Sequence, residues 1–216
     1  LNAASVTLDE GGNVALTGTA ANGTATLDLG GTGTVALDNG GDLTLTAGGT
    51  NTARVDGNVE VANTAGLAAG AASFFDINGT VGGTSEVTGN VVQSGISAMN
   101  QLTGEIAGFL QQTGDGTITV DGDSTVTGLV DIDDGILNVA AGVTLTATGA
   151  GVDVAAGATG NTVAATSVIT GNVTNAGAFN NVGTVNGGAG NSGAFDNDGA
   201  VTGNFTNTGT LNHSGG

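Results

Sequence analysis

The chain has 216 residues, of which 43 are glycine, and none is proline, cysteine, tryptophan or tyrosine. Its formal net charge is −18, with Arg54 as the only Lys or Arg. One cation cannot neutralise a phosphate backbone or settle on an anionic membrane surface, and six Phe with no Trp or Tyr make no platform for stacked bases, so nucleic acid is excluded as a partner. Without cysteine there are no disulfides and no thiolate metal sites. The apolar fraction of 38% and charged fraction of 9% separate the chain from a disordered acidic tail, which carries clustered charge and few branched aliphatics. No run of apolar residues is long enough to span a membrane as a helix. The first residues, from Leu1, show neither a basic n-region nor an apolar h-region, as expected of a mature protein or of a piece of a longer one.

From the N-terminus the pattern is one of very short alternating strands. Val14/Leu16, Leu27/Leu29, Val35/Leu37, Leu43/Leu45 and Val59/Val61 are period-2 apolar pairs, and Gly-Gly, Asn-Gly or Asp-Gly turns often separate them. Residues 1–94 therefore read as irregular β coils. Ile96, Met99, Leu102, Ile106, Phe109 and Leu110 then recur at mostly helical spacing, which predicts a short helix or an irregular insertion over 95–112. The alternation resumes at Ile118/Val120, Val130/Ile132, Leu137/Val139, Val143/Leu145 and Val152/Val154, opening a more regular segment, 113–216.

That segment ends in an internal repeat. Asn175-Ala-Gly-Ala-Phe179, Asn191-Ser-Gly-Ala-Phe195 and Asn207-Thr-Gly-Thr-Leu211 recur every 16 residues. Asn181-Val-Gly-Thr-Val185, Asn197-Asp-Gly-Ala-Val201 and His213-Ser-Gly215 form a second series, and Gly171, Gly187 and Gly203 open a looser third. Sixteen residues is too short for a helical hairpin and fits one turn of a β-solenoid. Phe179, Phe195 and Leu211 are expected to stack as one buried column, and Ile169, Val185 and Val201 as another. Val163 is expected at the Phe179 position one unit upstream. Asn175, Asn191 and Asn207 should form an amide ladder at a corner, where Gly and Asn tolerate positive φ. At 16 to 20 residues per coil, the chain would wind roughly eleven to thirteen coils into a rod about 50–60 Å long.

Gly128-Leu-Val130-Asp-Ile132-Asp-Asp-Gly135-Ile-Leu137-Asn-Val139 resembles the Gly-x-Thr-x-Val-x-x-Gly-x-Leu-x-Val repeat of autotransporter passenger domains, with Val130 in place of the usual Thr. The Asn-x-Gly-x-Phe array is similar to large autotransporter and haemagglutinin-like adhesins. The resemblance covers about 115–216, and residues 1–94 share only composition with that group. It implies a right-handed parallel β-helix displayed on a bacterial outer membrane. The translocating barrel of such proteins is not expected here, since its girdles need Tyr and Trp.

Reactive chemistry is sparse. The single His213 falls in the column of Asn181 and Asn197 and reads as a turn residue rather than a base. Arg54 is expected to pair at the surface with Asp56 or Glu60. The densest acids, Asp121/Asp123 and Asp131/Asp133/Asp134, read as a solvated face rather than a calcium site. Asn22, Asn78, Asn172, Asn204 and Asn212 match a glycosylation acceptor pattern that an Asn/Thr-rich repeat produces by chance. No catalytic, cofactor-binding or metal residue is assigned, and no cofactor is expected.

The leading expectation is a non-enzymatic, extracellular β-solenoid: a passenger fragment of an autotransporter-like adhesin, acting as a stalk or adhesive rod toward host-cell, matrix or neighbouring-cell molecules. The second is end-to-end self-association into a filament or surface layer, since the last coil has no capping element. The third is ice or mineral binding through Thr44/Thr46, Thr117/Thr119, Thr125/Thr127 and Thr144/Thr146.

Overall fold

The computed structural model describes residues 5–9, 13–18, 24–38, 42–47, 51–62, 74–79, 84–94 and 100–213. Every regular element among them is a strand. The chain lays one short strand in each of three sheets, turns a corner between them, and returns to the first sheet one rung further on. One such turn runs Val130–Ile132, Ile136–Val139 and Thr144–Ala147, and the next begins at Val152–Val154. Each pairing is parallel, with Val130 beside Val152 and Leu145 beside Ile169. Sheets I and II hold ten strands and sheet III nine among the described residues. Sheet I starts at Val6–Asp9, sheet II at Asn13–Gly18 and sheet III at Thr24–Asp28. The architecture is the expected all-β parallel solenoid.

Among the described residues the sheets stack at most ten rungs, fewer than the eleven to thirteen expected, because the early turns are long. Asn58 meets Asn90, 32 residues on, whereas Asn175 meets Asn191, 16 residues on. At about 4.8 Å per rung the stack is roughly 45 Å long.

Alternation along each strand sends one set of side chains inward. Val35, Leu37, Leu43, Leu45, Ala53 and Val55 are fully buried, as are Val130, Ile132, Leu137, Val139 and Leu145 further along. Register then converts sequence pattern into columns. Phe179 lies beside Phe195 and Phe195 beside Leu211, while Ile169, Val185 and Val201 form the second predicted column. The Phe179 and Phe195 rings stack with centroids 5.1 Å apart, and Phe205 meets Phe195 edge-on at 5.2 Å. Such pairs add about 0.5–1.5 kcal/mol beyond area burial.

Two expectations fail. Val163 is 48% exposed, and the residue beside Phe179 is Gly160. That turn is longer, so Thr162 meets Asn181, 19 residues on, and the 16-residue count does not extend upstream. A Cβ on Gly160 would fall 2.6 Å from Phe179 Cδ2, so the ring occupies the space a side chain would need. The predicted helix is also absent: residues 100–112 form the strands Asn100–Thr103, Glu105–Ile106 and Leu110–Gln112, one in each sheet. Inward residues of strands this short, joined by tight corners, fall four apart at Leu102, Ile106 and Leu110, which imitates a helical stripe. Gly104 and Gly108 oppose a helix, each by about 1 kcal/mol. Ile96 and Met99 lie outside the described residues.

The corners obey a different rule from the one anticipated. Gly177, Gly193 and Gly209 stack, and a Cβ on Gly193 would sit 2.1 Å from the Gly177 carbonyl oxygen. Close approach between rungs, rather than positive φ, demands glycine there. Gly135, at φ +71°, is a place where conformation does demand it. Inside the corners of the last turns Asn side chains add to the backbone pairing. Asn175 Nδ2 donates to Asn191 Oδ1 at 2.7 Å and Asn191 Nδ2 to Asn207 Oδ1 at 2.6 Å, the predicted ladder. A second ladder runs from Thr162 through Asn181 to Asn197. The ladders pair most of these buried amide groups, as a dry interior requires, and leave Asn175 Oδ1 without a partner.

Candidate functional site

A third ladder stands where the chain leaves sheet III and enters sheet I. The triplets Gly57-Asn58-Val59, Gly89-Asn90-Val91, Gly171-Asn172-Val173 and Gly203-Asn204-Phe205 mark this corner. The Asn projects from the corner and its Oδ1 accepts the backbone N–H of the rung above. Asn58 accepts from Asn90 at 2.9 Å, Asn90 from Phe109 at 3.1 Å, and Asn172 from Gly188 at 2.9 Å. At two adjacent rungs the same triplet reads Gly108-Phe109-Leu110 and Gly128-Leu129-Val130. The backbone places both residues in the Asn column, since Val91 N donates to Phe109 O and Leu110 N to Leu129 O. Neither side chain can accept a hydrogen bond, so two half-buried apolar groups stand in the ladder's place; Gly151 and Gly188 also interrupt the column, but with no side chain.

A groove of about 460 Å³ lies over this interruption. Phe109 and Leu129 supply its apolar surface, and the bare backbone of Gly108 and Gly128 lines it between them. Those glycines are held by packing: a Cβ on Gly108 would meet Asn90 Oδ1, and one on Gly128 would lie 2.7 Å from Gly108 O. Polar groups rim the groove. Asn90, in the lining of the groove, commits its Oδ1 to Phe109 N and carries its Nδ2 donor on the same amide. On the neighbouring strands of sheet I, Gln111 lies beside Asp131 and Asp131 beside Asp153. Gln111 Nε2 donates to Asp131 Oδ2 and Asp133 Oδ2, both at 3.0 Å, which leaves Gln111 Oε1 and Asp131 Oδ1 as open acceptors. Burial, with the adjacent Asp133 and Asp153 carboxylates, raises the Asp131 pKa above its ordinary 3.8, and the Gln111 hydrogen bond partly opposes this.

Of the acids singled out from the sequence, Asp131 and Asp133 stay together on Gln111 and the others take separate partners. Asp121 accepts from the Thr103 hydroxyl at 2.7 Å, Asp123 from the Thr144 N–H at 2.8 Å, and Asp134 from the Gly135 N–H at 2.8 Å. Among the described residues no group of three His, Cys, Asp or Glu side chains converges as a metal site would. Arg54 Nη2 lies 3.5 Å from Asp56, as expected, but its second neighbour is Glu86 at 4.0 Å rather than Glu60. The register sets Arg54 beside Glu86 on sheet III, whereas Glu60 lies on sheet I. His213 Nδ1 is 2.5 Å from the Asn197 carbonyl oxygen, a contact that places the proton on Nδ1 and uses the ring as a corner donor.

The threonine pairs divide between two sheets. Thr125 lies beside Thr146 and Thr146 beside Thr170 on sheet III, after which Asn186 interrupts. Thr44/Thr46 and Thr117/Thr119 are on sheet II, with Asp76, Asn78 and Gln101 between them.

Sequence reasoning missed Phe109, Gln111 and Leu129 as a group, because it assigned the first two to a helix. The available signal was the Gly-Asn-Val triplet, in which Phe109 and Leu129 are the apolar exceptions. No protein family, no curated protein and no solved structure matches the chain.

Proposed function

We propose that this chain is a non-enzymatic, surface-displayed rod, the solenoid of an autotransporter-like bacterial adhesin that works outside the cell. One observation carries the reading: three sheets continue rung over rung through the described length with side-chain ladders at their corners, which makes an extended scaffold. The acidic surface, with Arg54 as its lone cation, keeps such a rod soluble and disfavours binding to polyanions. The Gly-x-Val-x-Ile-x-x-Gly-x-Leu-x-Val repeat at 128–139 supports the family resemblance. Beads coated with the purified chain should adhere to host cells, to extracellular matrix or to neighbouring bacterial cells more than beads carrying an unrelated acidic protein. Equal adherence on all three would refute the adhesive role.

Self-association end to end is the second reading, since in-register parallel rungs can add further rungs of the same kind. Leu211, in the column of Phe179 and Phe195, is 44% exposed. Unpaired strand edges over an apolar surface are a template for a further rung. Sedimentation at rising concentration should then show end-to-end oligomers, and a monomer throughout would exclude this reading.

A further inference from the structure

The geometry points to a binding site for a neutral saccharide in the groove over Phe109 and Leu129. The first reason is the broken ladder. Among the described rungs this column otherwise carries a polar side chain, at Thr34, Asn58, Asn90, Asn172 and Asn204, or the bare backbone of Gly151 and Gly188, and it places half-buried apolar groups only at the two adjacent rungs of Phe109 and Leu129. Local rules of a repeat are broken at functional positions more often than at random. The second reason is shape. A groove of about 460 Å³ falls within the usual size range of small-ligand sites, and it is held open by Gly108 and Gly128, which the neighbouring rung keeps free of side chains.

The third reason is chemical. A pyranose has one face of C–H groups and a rim of hydroxyls that both donate and accept. The Phe109 ring and Leu129 offer the apolar face a surface of matching character. Asn90 Nδ2 offers the rim a donor, and Gln111 Oε1 and Asp131 Oδ1 offer it acceptors. These three groups are already tethered by their other atoms, so little side-chain freedom is lost when a ligand binds. The charge narrows the class. Asp131, Asp133 and Asp153 lie together on this side of the groove, and their repulsion disfavours sialylated, sulfated or uronic sugars.

The assignment concerns the groove alone and does not depend on where the rod is displayed. Its test is an array of neutral oligosaccharides, with sialylated and sulfated ones for comparison, followed by calorimetric titration of the best neutral binder in solution. Phe109→Asn and Leu129→Asn restore the residue that the ladder uses elsewhere, so both variants should keep the thermal stability of the parent. Each should weaken binding at least tenfold. Asp131→Asn, which keeps the side-chain shape, should weaken it several-fold and admit acidic sugars. Thr170→Ala, on sheet III, should change nothing. The proposal is overturned if no neutral sugar binds, if only cationic compounds bind, or if Phe109→Asn and Leu129→Asn leave the affinity unchanged.

Discussion

Asn191→Ala tests whether the corner ladders hold the rungs together. The Asn191 side chain is 4% exposed. Its Nδ2 donates to Asn207 Oδ1 at 2.6 Å and to the Thr210 carbonyl at 2.9 Å, with the Gly193 carbonyl at 3.2 Å sharing one of its two hydrogens, and its Oδ1 accepts from Asn175 Nδ2 at 2.7 Å. At roughly 1 kcal/mol net per hydrogen bond, three lost bonds amount to about 3 kcal/mol. Asn175 and Asn207 keep other partners, Ala194 O for the first and Gly209 N for the second, so neither is fully orphaned and the figure should not grow further. The alanine leaves a small polar void that water can enter, which moderates the loss. Asn207→Ala is the comparison: it also removes the bond from Asn191 Nδ2, together with those to and from Gly209, but the residue is exposed and water replaces its partners, so about 1 kcal/mol is expected. Repeat arrays unfold locally, so hydrogen exchange at Ala194, Ala200 and Thr210 is the suitable assay, with urea denaturation beside it. Exchange at these amides should speed up by about two orders of magnitude in Asn191→Ala and by less than tenfold in Asn207→Ala, consistent with about 1.4 kcal/mol per decade. Equal effects of the two variants, or no effect of the first, would show that backbone pairing alone fixes the corner.

Gly193→Ala and Gly190→Ala should diverge although both change one strand region. The first Cβ would meet Gly177 O at 2.1 Å and force the rungs apart, costing at least about 2 kcal/mol through the hydrogen bonds it opens, whereas the second has only Thr206 Oγ1 at 3.6 Å and should stabilise by about 0.5 kcal/mol through the unfolded chain. Urea midpoints compare them directly. Phe195→Ala should cost about 3–5 kcal/mol by the same measurement, because a fully buried ring stacked between Phe179 and Phe205 leaves a void that the rungs cannot close. Asp131 has a raised pKa in the folded chain, so it binds its proton more tightly folded than unfolded. Its contribution therefore disfavours folding above the folded pKa, and stability rises as pH falls through that value, with the gain complete below the ordinary 3.8. Asp131→Asn should raise the melting temperature near neutral pH and flatten this part of the pH profile; an unchanged profile would contradict the crowding of Asp131 by Asp133 and Asp153.

The parts of the fold legible in the sequence are those where register equals spacing. Phe179, Phe195 and Leu211 could be stacked on paper because no residue is inserted between their rungs, and Asn175, Asn191 and Asn207 came with them. Upstream, each corner takes a different number of residues, so apolar pairs such as Val35/Leu37 announce a strand but not which strand it lies against. Val163 and Gly160 exchanged places for that reason. The stretch around Leu102, Ile106 and Leu110 was misread because strands of two to four residues in three sheets produce the spacing of a helix. The groove was hidden for a related reason: Asn90, Phe109 and Leu129 become neighbours only through pairings across unequal turns. Gln93 and Gln112 could not be anticipated either, since glutamine is rarely buried, yet both are fully enclosed and lie side by side inside the stack.

The shortening of the turns, from 32 residues between Asn58 and Asn90 to 16 between Asn175 and Asn191, gives the rod a direction in time as well as in space. Closing a loop twice as long costs about 0.6 kcal/mol more in chain entropy, and this penalty recurs at each lengthened rung. Nucleation is therefore cheapest near the C-terminal end, and once two rungs have met there, each upstream segment finds a finished edge to join. Pulse-labelled exchange during refolding should find the amides around Asn191 protected before those around Val91, so that the molecule zips up against the order in which it is synthesised.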